Sequence, residues 1–379
     1  MDTWEFAVIK LSKPYITEDC INNVVNVLRS GNLVQGENVR TLEDKVKTYL
    51  KVGYAVAVSS GTAAMHLALL ALGIGPDDEV IVPAFTFPAT ANVVECVGAK
   101  TVLVDINLDD FCIDASLIEK VITSRTKAIM PVHEFGQAAQ IDVIMEIAKR
   151  HNLKVVEDAA CALGTEFRNQ KVGLFGDIGC FSLHPRKAIT SGEGGIIVTN
   201  NANIAHSLTV LRNHGIENSD GRIDFVKAGY NYRMTDFQAA LCLPQLDLIE
   251  DMIAEREKQA SIYNNTLDNI ANITTPYDFP ERRMVYQTYH ILLDGKIDRN
   301  MVIGRLRERQ IETNYGANAL NTLSFYSGKY GFTKDDYPNA VFANRQGLAL
   351  PMGMHLQDND LGEICAILKD LLAKGTLKA

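Results

Sequence analysis

From Tyr54 to about Val198, short apolar runs alternate with longer amphipathic stretches. The runs Tyr54–Val58, Glu79–Val82, Thr101–Val104, Ala128–Val132 and Leu153–Val156 are too continuous for strands wetted on one face, and read as strands covered on both. Helical patterns fall between them at Ala63–Leu72, Ala89–Val97, Ala115–Ile122 and Ile141–Arg150. That rhythm predicts a mostly parallel sheet between two layers of helices. Ahead of it, Thr17-Glu18-Asp19 predicts the start of a helix running to about Arg29, and a Gly-bounded loop, Ser30–Gly36, leads to a second helix over roughly Arg40–Leu50. Behind it, a helical pattern runs to about Leu267, followed by a strand over Val285–Leu293 and helices over Arg299–Glu308 and Asp358–Leu372. The expected fold class is α/β, with a large domain over residues 1–250 and a smaller α+β domain over 251–379.

Composition changes this picture little. A chain of 379 residues is long for one domain and comfortable for two, and 47% hydrophobic with 22% charged residues excludes disorder as the main state. The net charge of -9 argues against a nucleic-acid partner, although Arg and Lys lining a site still suit an anionic small molecule. Seven cysteines are scattered without C-x-x-C spacing, which reads as reduced thiols in a cytoplasmic protein and not as disulfides or metal ligands. The first residues lack a basic-then-apolar signal pattern, and no apolar run reaches the roughly 18 residues of a spanning helix, so the expectation is a soluble protein.

The chemistry gathers around C-F-S-L-H-P-R-K-A-I-T-S-G-E-G-G, Cys180 to Gly195. Lys187 lies between two strand-like segments, where the backbone holds its Cα still while four methylenes let the amine reach, as a Schiff-base lysine requires. In isolation a solvated surface lysine is much the commoner reading. Asp158, at the end of the run V-V-E-D, falls on the carboxyl edge of the sheet, where open α/β folds bind ligands, and small residues behind it leave room for a flat ligand. Its plainer reading is a helix N-cap. Ser59-Ser60-Gly61-Thr62 opens a helix, and its free N–H groups, hydroxyls and dipole suit a phosphate; simple capping uses the same residues. An imine-forming lysine, an acid for a ring nitrogen and a phosphate cradle are the three contacts that pyridoxal 5'-phosphate needs.

Five ordered segments then resemble one family. They are S-S-G-T-A-A-M-H-L-A-L, P-A-F-T-F-P-A-T-A-N, V-E-D-A-A-C-A-L-G, F-S-L-H-P-R-K-A-I-T-S-G-E-G-G and G-Y-N-Y-R-M-T-D-F-Q-A-A-L. Their order is similar to that of the DegT/DnrJ/EryC1/StrS sugar aminotransferases, from about Ile9 to the C-terminus. The resemblance implies a fold-type I pyridoxal-phosphate enzyme, a homodimer with shared active sites, that moves an amino group from L-glutamate to a nucleotide-diphosphate-linked keto-deoxysugar. It implies Lys187 as the Schiff-base lysine, Asp158 at the pyridine nitrogen, and Gly61, Thr62 and Ser182 at the phosphate. Asn231 is implied to reach the phosphate of a neighbouring subunit, and Phe87 to stack on the ring, where a core phenylalanine is the alternative. The loop Ser30–Gly36 is implied to border the site. Cys161 departs from the Gln or His of many relatives, which reaches the cofactor's ring hydroxyl, and a thiol is a weaker donor there. Glu312–Leu320 departs as well, in a segment that often borders the sugar. His133 and His184 have no role legible in sequence, and Arg233 suits a surface or interface ion pair. Two other readings stay open: a sugar dehydratase, although the relatives of that kind carry His in place of the lysine, and a non-catalytic regulator or binding module on the same fold.

Overall fold

In the computed structural model, which describes residues 9–219 and 221–373, one sheet of seven strands organises the larger part of the chain. Its strands are β1 (Tyr54–Val58), β2 (Glu79–Pro83), β3 (Lys100–Val104), β4 (Thr126–Ile129), β5 (Lys154–Asp158), β6 (Ile178–Ser182) and β7 (Gly195–Thr199). They lie in the order β1-β7-β6-β5-β4-β2-β3. All pairings from β6 to β3 are parallel, and β7 alone runs against its neighbours.

Alternation along the strands supplies two cores. Ala55, Ala57, Ile81, Val155, Ile196 and Val198 face one layer, with Leu42 and Val46 of the helix Glu37–Leu50 and Ile144 and Ile147 of the helix Ile141–His151. Val56, Val58, Val80, Val82, Val156 and Ile197 face the other, with Leu67 and Ala68 of the helix Gly61–Ala71 and Val94 of the helix Ala89–Cys96. Each fully buried aliphatic side chain stabilises the fold by about 1.5–3 kcal/mol, so a one-residue register slip, which exchanges the two faces, is costly.

A third core packs Ile9, Tyr263, Tyr289, Ile291, Val302, Leu350 and Ile364 around a smaller sheet of Ile273–Thr274, Tyr289–Leu293 and Gly347–Leu350. The helix Ile249–Leu267 joins it to the larger part: Met252 and Ile253 belong to the first core, Tyr263 and Leu267 to the third.

Several expected boundaries moved for identifiable reasons. The second helix starts at Glu37 and not near Arg40, because Asp236, far along the chain, accepts from the Val39 N–H and from Asn38 Nδ2 and so acts as a remote cap. The run Ala128–Val132 is a strand only to Ile129, Pro131 having no N–H to give. Ala115–Ile122 is one α-helical turn, Ala115–Ile118, followed by a 3₁₀ turn over Glu119–Val121. The long helical pattern divides into Asp236–Asp247 and Ile249–Leu267. The strand expected from Val285 begins at Tyr289, since Val285 and Thr288 donate instead to the carbonyls of Gly136 and Phe135.

Candidate active site

The carboxyl ends of β2, β4, β5 and β6 and the start of the helix Gly61–Ala71 surround a cleft of about 380 Å³. Gly61, Thr62, Phe87, Asp158, Cys161, Ser182 and Lys187 all line it. Leu350 of the smaller sheet and Gln287 and Thr288, just before its strand Tyr289–Leu293, close one side, and Asn314, Gly316 and Ala317 of the Glu312–Leu320 segment border it too. That segment is fixed by the antiparallel pairing of Asn318–Ala319 with Phe85–Thr86. Residues 30–36 are not among the lining residues of this cleft.

Lys187 is half-buried on a turn beyond β6. The turn is tied at its base, where Leu183 donates to the Gly194 carbonyl, and at its far side, where Gln245 both accepts from the Thr190 N–H and donates to the Thr190 carbonyl. The amine Nζ donates to Cys161 Sγ at 3.0 Å. Burial raises the Cys161 thiol above its ordinary range, opposed by the Lys187 charge, so the thiol keeps its proton at neutral pH.

Asp158 is buried at the end of β5, held by backbone bonds from Asp158 N–H to the Pro131 carbonyl and from His133 N–H to the Asp158 carbonyl. No helix follows it, which removes the N-cap reading; its carboxylate accepts from the Ala160 N–H at 3.1 Å and the Thr90 hydroxyl at 2.8 Å. Burial pushes this carboxyl up, and the two donors pull it back.

At the other end of the cleft, Ser60 caps the helix through the Ala63 N–H, as the capping reading expects. A side-chain carbon at Gly61 would sit 2.9 Å from Ser182 Cβ, so the glycine lets the helix start pack directly against the end of β6. Phe87 is 63% exposed at the cleft mouth, which removes the core reading. An amine, a buried carboxylate facing small residues, an exposed ring and a helix N-terminus opening on the cleft fit a phosphorylated pyridine aldehyde.

His133 lies outside this set. It is fully buried, its Nδ1 accepting from the Ala139 N–H and its Nε2 meeting Glu157 at 3.0 Å, while Glu157 also accepts from the N–H groups of Gly173, Phe175 and Gly176. The pair holds the loop after β4 to the chain before β6. His184 does line the cleft, and burial lowers its pKa. Asn231 is exposed and not among the cleft's lining residues, and Arg233 bonds Asn213 in the same chain.

Two further side chains belong to the site. Thr90, inside the motif P-A-F-T-F-P-A-T-A-N, donates to Asp158, a partner that no spacing reveals. Glu134 lines the cleft while only 5% exposed, and its Oε2 has no hydrogen-bond partner. The signal for it was position: an acid in the loop that follows a strand, on the edge that carries Asp158. Burial pushes Glu134 up to about 7, the Asp158 charge adding to the rise and Lys187 opposing it.

Residues 14–369 match the DegT/DnrJ/EryC1/StrS aminotransferase family. The chain belongs to that family. Its cofactor is pyridoxal 5'-phosphate, and the fold is that of the fold-type I aminotransferases. Among curated family members, GDP-perosamine synthase of Caulobacter vibrioides is 39% identical over 340 residues, 89% of this chain and 91% of that one. Among solved members, Helicobacter pylori PseC, an aminotransferase involved in the biosynthesis of pseudoaminic acid, superimposes with a TM-score of 0.92 at 26% identity, covering 97% of this chain and 99% of the other. Spr1654 of Streptococcus pneumoniae, solved in a PMP-form, does so with a TM-score of 0.92 at 30% identity, over 96% and 99%. Like these relatives, the chain is an aminotransferase of the sugar-modifying family.

Proposed function

We propose that this aminotransferase moves an amino group from L-glutamate to the keto carbon, C3 or C4, of a nucleotide-diphosphate-linked deoxysugar, for amino sugars of a surface polysaccharide or glycoconjugate. The observation that carries the reading is the convergence of Lys187, Asp158, Gly61 and Ser182 on one cleft, and the names of the relatives support the sugar. When bound, pyridoxal phosphate supplies an electron sink that lets the carbon beside the amino nitrogen lose and regain a proton. Lys187 holds the cofactor through Nζ and, once released by the amino donor, takes and returns the proton at that atom. Asp158 keeps the ring nitrogen charged. Gly61, Thr62 and Ser182 bind the phosphate, Phe87 covers the ring face, and Cys161 supplies a weak contact beside Nζ.

Asn231 completes the phosphate site of a second copy, so the working unit is a homodimer; its exposure outside its own cleft supports this. The same reading divides the chain near residue 250, supported by a third core that draws on Ile9 and on residues from Ala260 onward. It places the enzyme in the cytoplasm, where seven unpaired cysteines stay reduced. Among the described residues, no helix is long and apolar enough to cross a membrane.

The test is the absorption spectrum of the purified protein with pyridoxal phosphate, before and after L-glutamate, beside the Lys187→Ala variant. The expected result is a lysine-dependent visible band that glutamate removes, followed by turnover with a panel of nucleotide-linked keto-sugars. A band that glutamate leaves unchanged, or normal turnover by Lys187→Ala, would overturn the reading.

A further inference from the structure

Two buried carboxyl groups share this cleft, and the reading above gives work to only one. Asp158 has a hydroxyl and an N–H donating to it. Glu134 is equally shut off from water; the Thr86 side chain and the Phe135 N–H serve its carboxyl, yet its Oε2 has no hydrogen-bond partner. Two adjacent acids in low dielectric do not both ionise, and the proton settles on the one whose anion is less well served. That acid is Glu134.

Its position is held firmly. Phe135, the next residue, sits at φ +55, a left-handed conformation that a bulky residue rarely adopts. The strained turn is fixed by Phe135 stacking on His290 at 4.3 Å and by the bond from the Thr288 N–H to the Phe135 carbonyl. The titratable groups facing the Glu134 carboxyl are Asp158 on β5, Lys187 and Cys161 across the cleft, and Cys112 behind it.

The sheet order says which edge of the cofactor Glu134 meets. Along the carboxyl edge come Gly61 and Ser182, then Lys187 beyond β6, then Asp158 on β5, then Glu134 beyond β4. In pyridoxal phosphate the carbon that reacts with a lysine is flanked on one side by the phosphate arm and on the other by the ring hydroxyl. With the phosphate at the Gly61 end, the hydroxyl edge turns toward β4. We propose that Glu134 acts there as a neutral carboxylic acid, donating its O–H to the cofactor's ring oxygen, a contact for which the Cys161 thiol is a poor donor. This inference rests on the cofactor-binding reading above.

A donor on the ring oxygen withdraws electron density from the lysine linkage, and lowers the pH at which that linkage loses its proton. A carboxylate there would raise it. The experiment is a pH titration of the visible band, with the cofactor dissociation constant, for the wild type, Glu134→Gln and Glu134→Leu. The amide keeps a donor and cannot ionise; the leucine removes it. The midpoint of Glu134→Gln should stay within about 0.3 pH unit of wild type, while that of Glu134→Leu rises by about one unit and its cofactor dissociation constant by roughly tenfold, the loss of one hydrogen bond. A midpoint that falls by a unit in Glu134→Gln would identify a charged carboxylate and overturn the proposal. Unchanged midpoints and affinities in both variants would overturn it too, leaving Oε2 to a water in the adjoining cavity of about 10 Å³ beside His290. If Glu134→Leu does not fold, Glu134→Met, which also lacks a donor, takes its place with the same expected rise. Absence of any Lys187-dependent band in the wild type would remove the cofactor reading itself, and this proposal with it.

Discussion

The Lys187 amine donates to the Cys161 sulfur at 3.0 Å within the cleft. A neutral sulfur is a weak acceptor, and the thiol stays protonated because it is buried. Cys161→Ala should therefore lower kcat/KM less than about fivefold, corresponding to ~1 kcal/mol or less. Steady-state kinetics with a sugar substrate would check it; a loss of a thousandfold would mean that the thiol is itself a catalytic group.

Thr90 serves Asp158 from the first turn of its helix. Thr90→Val keeps the shape and removes the donor, so the Asp158 carboxyl, already raised by burial, rises further and holds the pyridinium less well. A hydrogen bond to a charged group contributes about 1.5–3 kcal/mol. Cofactor affinity should accordingly fall by ten- to a hundredfold in equilibrium dialysis, with the thermal midpoint of the cofactor-free protein little changed.

Gly61→Ala tests how closely the helix start must pack on Ser182. Its Cβ would lie 2.9 Å from Ser182 Cβ, closer than two carbons approach, so the two segments must shift, at an overpacking cost of about 1–3 kcal/mol that offsets alanine's helix preference of roughly 1 kcal/mol. The variant should unfold at a lower denaturant concentration than wild type and bind pyridoxal phosphate at least tenfold more weakly. Equal affinity would mean that the phosphate sits elsewhere.

Glu134 makes the cofactor-free protein sensitive to pH in a defined direction. Its folded pKa, about 7, lies above the ordinary 4.5, so the folded state binds the extra proton between those values. Stability from this group is full below pH 4.5 and declines as pH rises toward 7, by on the order of 3 kcal/mol at ~1.4 kcal/mol per unit. Urea unfolding of the cofactor-free chain at pH 5 and pH 7.5 should show a smaller decline for Glu134→Gln than for wild type. An equal decline would assign the pH dependence to other groups.

Much of the frame was legible because strand and helix periods are local properties. Tyr54–Val58 and Arg299–Glu308 lie where the pattern placed them, and Thr17 caps its helix as its side chain suggests. The start at Glu37 was not legible, since its cap is Asp236, and the loss of Val285–Thr288 from the strand depends on the carbonyls of a turn far away in sequence. The site divides along the same line. Residues in recognisable segments, such as Lys187 and Asp158, line one cleft, and the segments around them identify the family. Thr90 and Glu134 are ordinary residues in a linear reading and gain meaning only from three-dimensional neighbours. Sequence also left His133 open, and its two bonds to Ala139 and Glu157 account for it as a strut.

The reversed direction of β7 has a mechanical consequence for Lys187. A parallel successor to β6 would need a crossover that carries the chain to the opposite rim of the sheet before it could return. Because β7 is antiparallel to β6, the connection Leu183–Gly194 leaves and re-enters at one rim, like an arch with both abutments on the same bank. The arch is tied at its far side too, where Gln245 holds Thr190. On the proposed reading, the travel of the Lys187 amine is left to torsions of its own four methylenes.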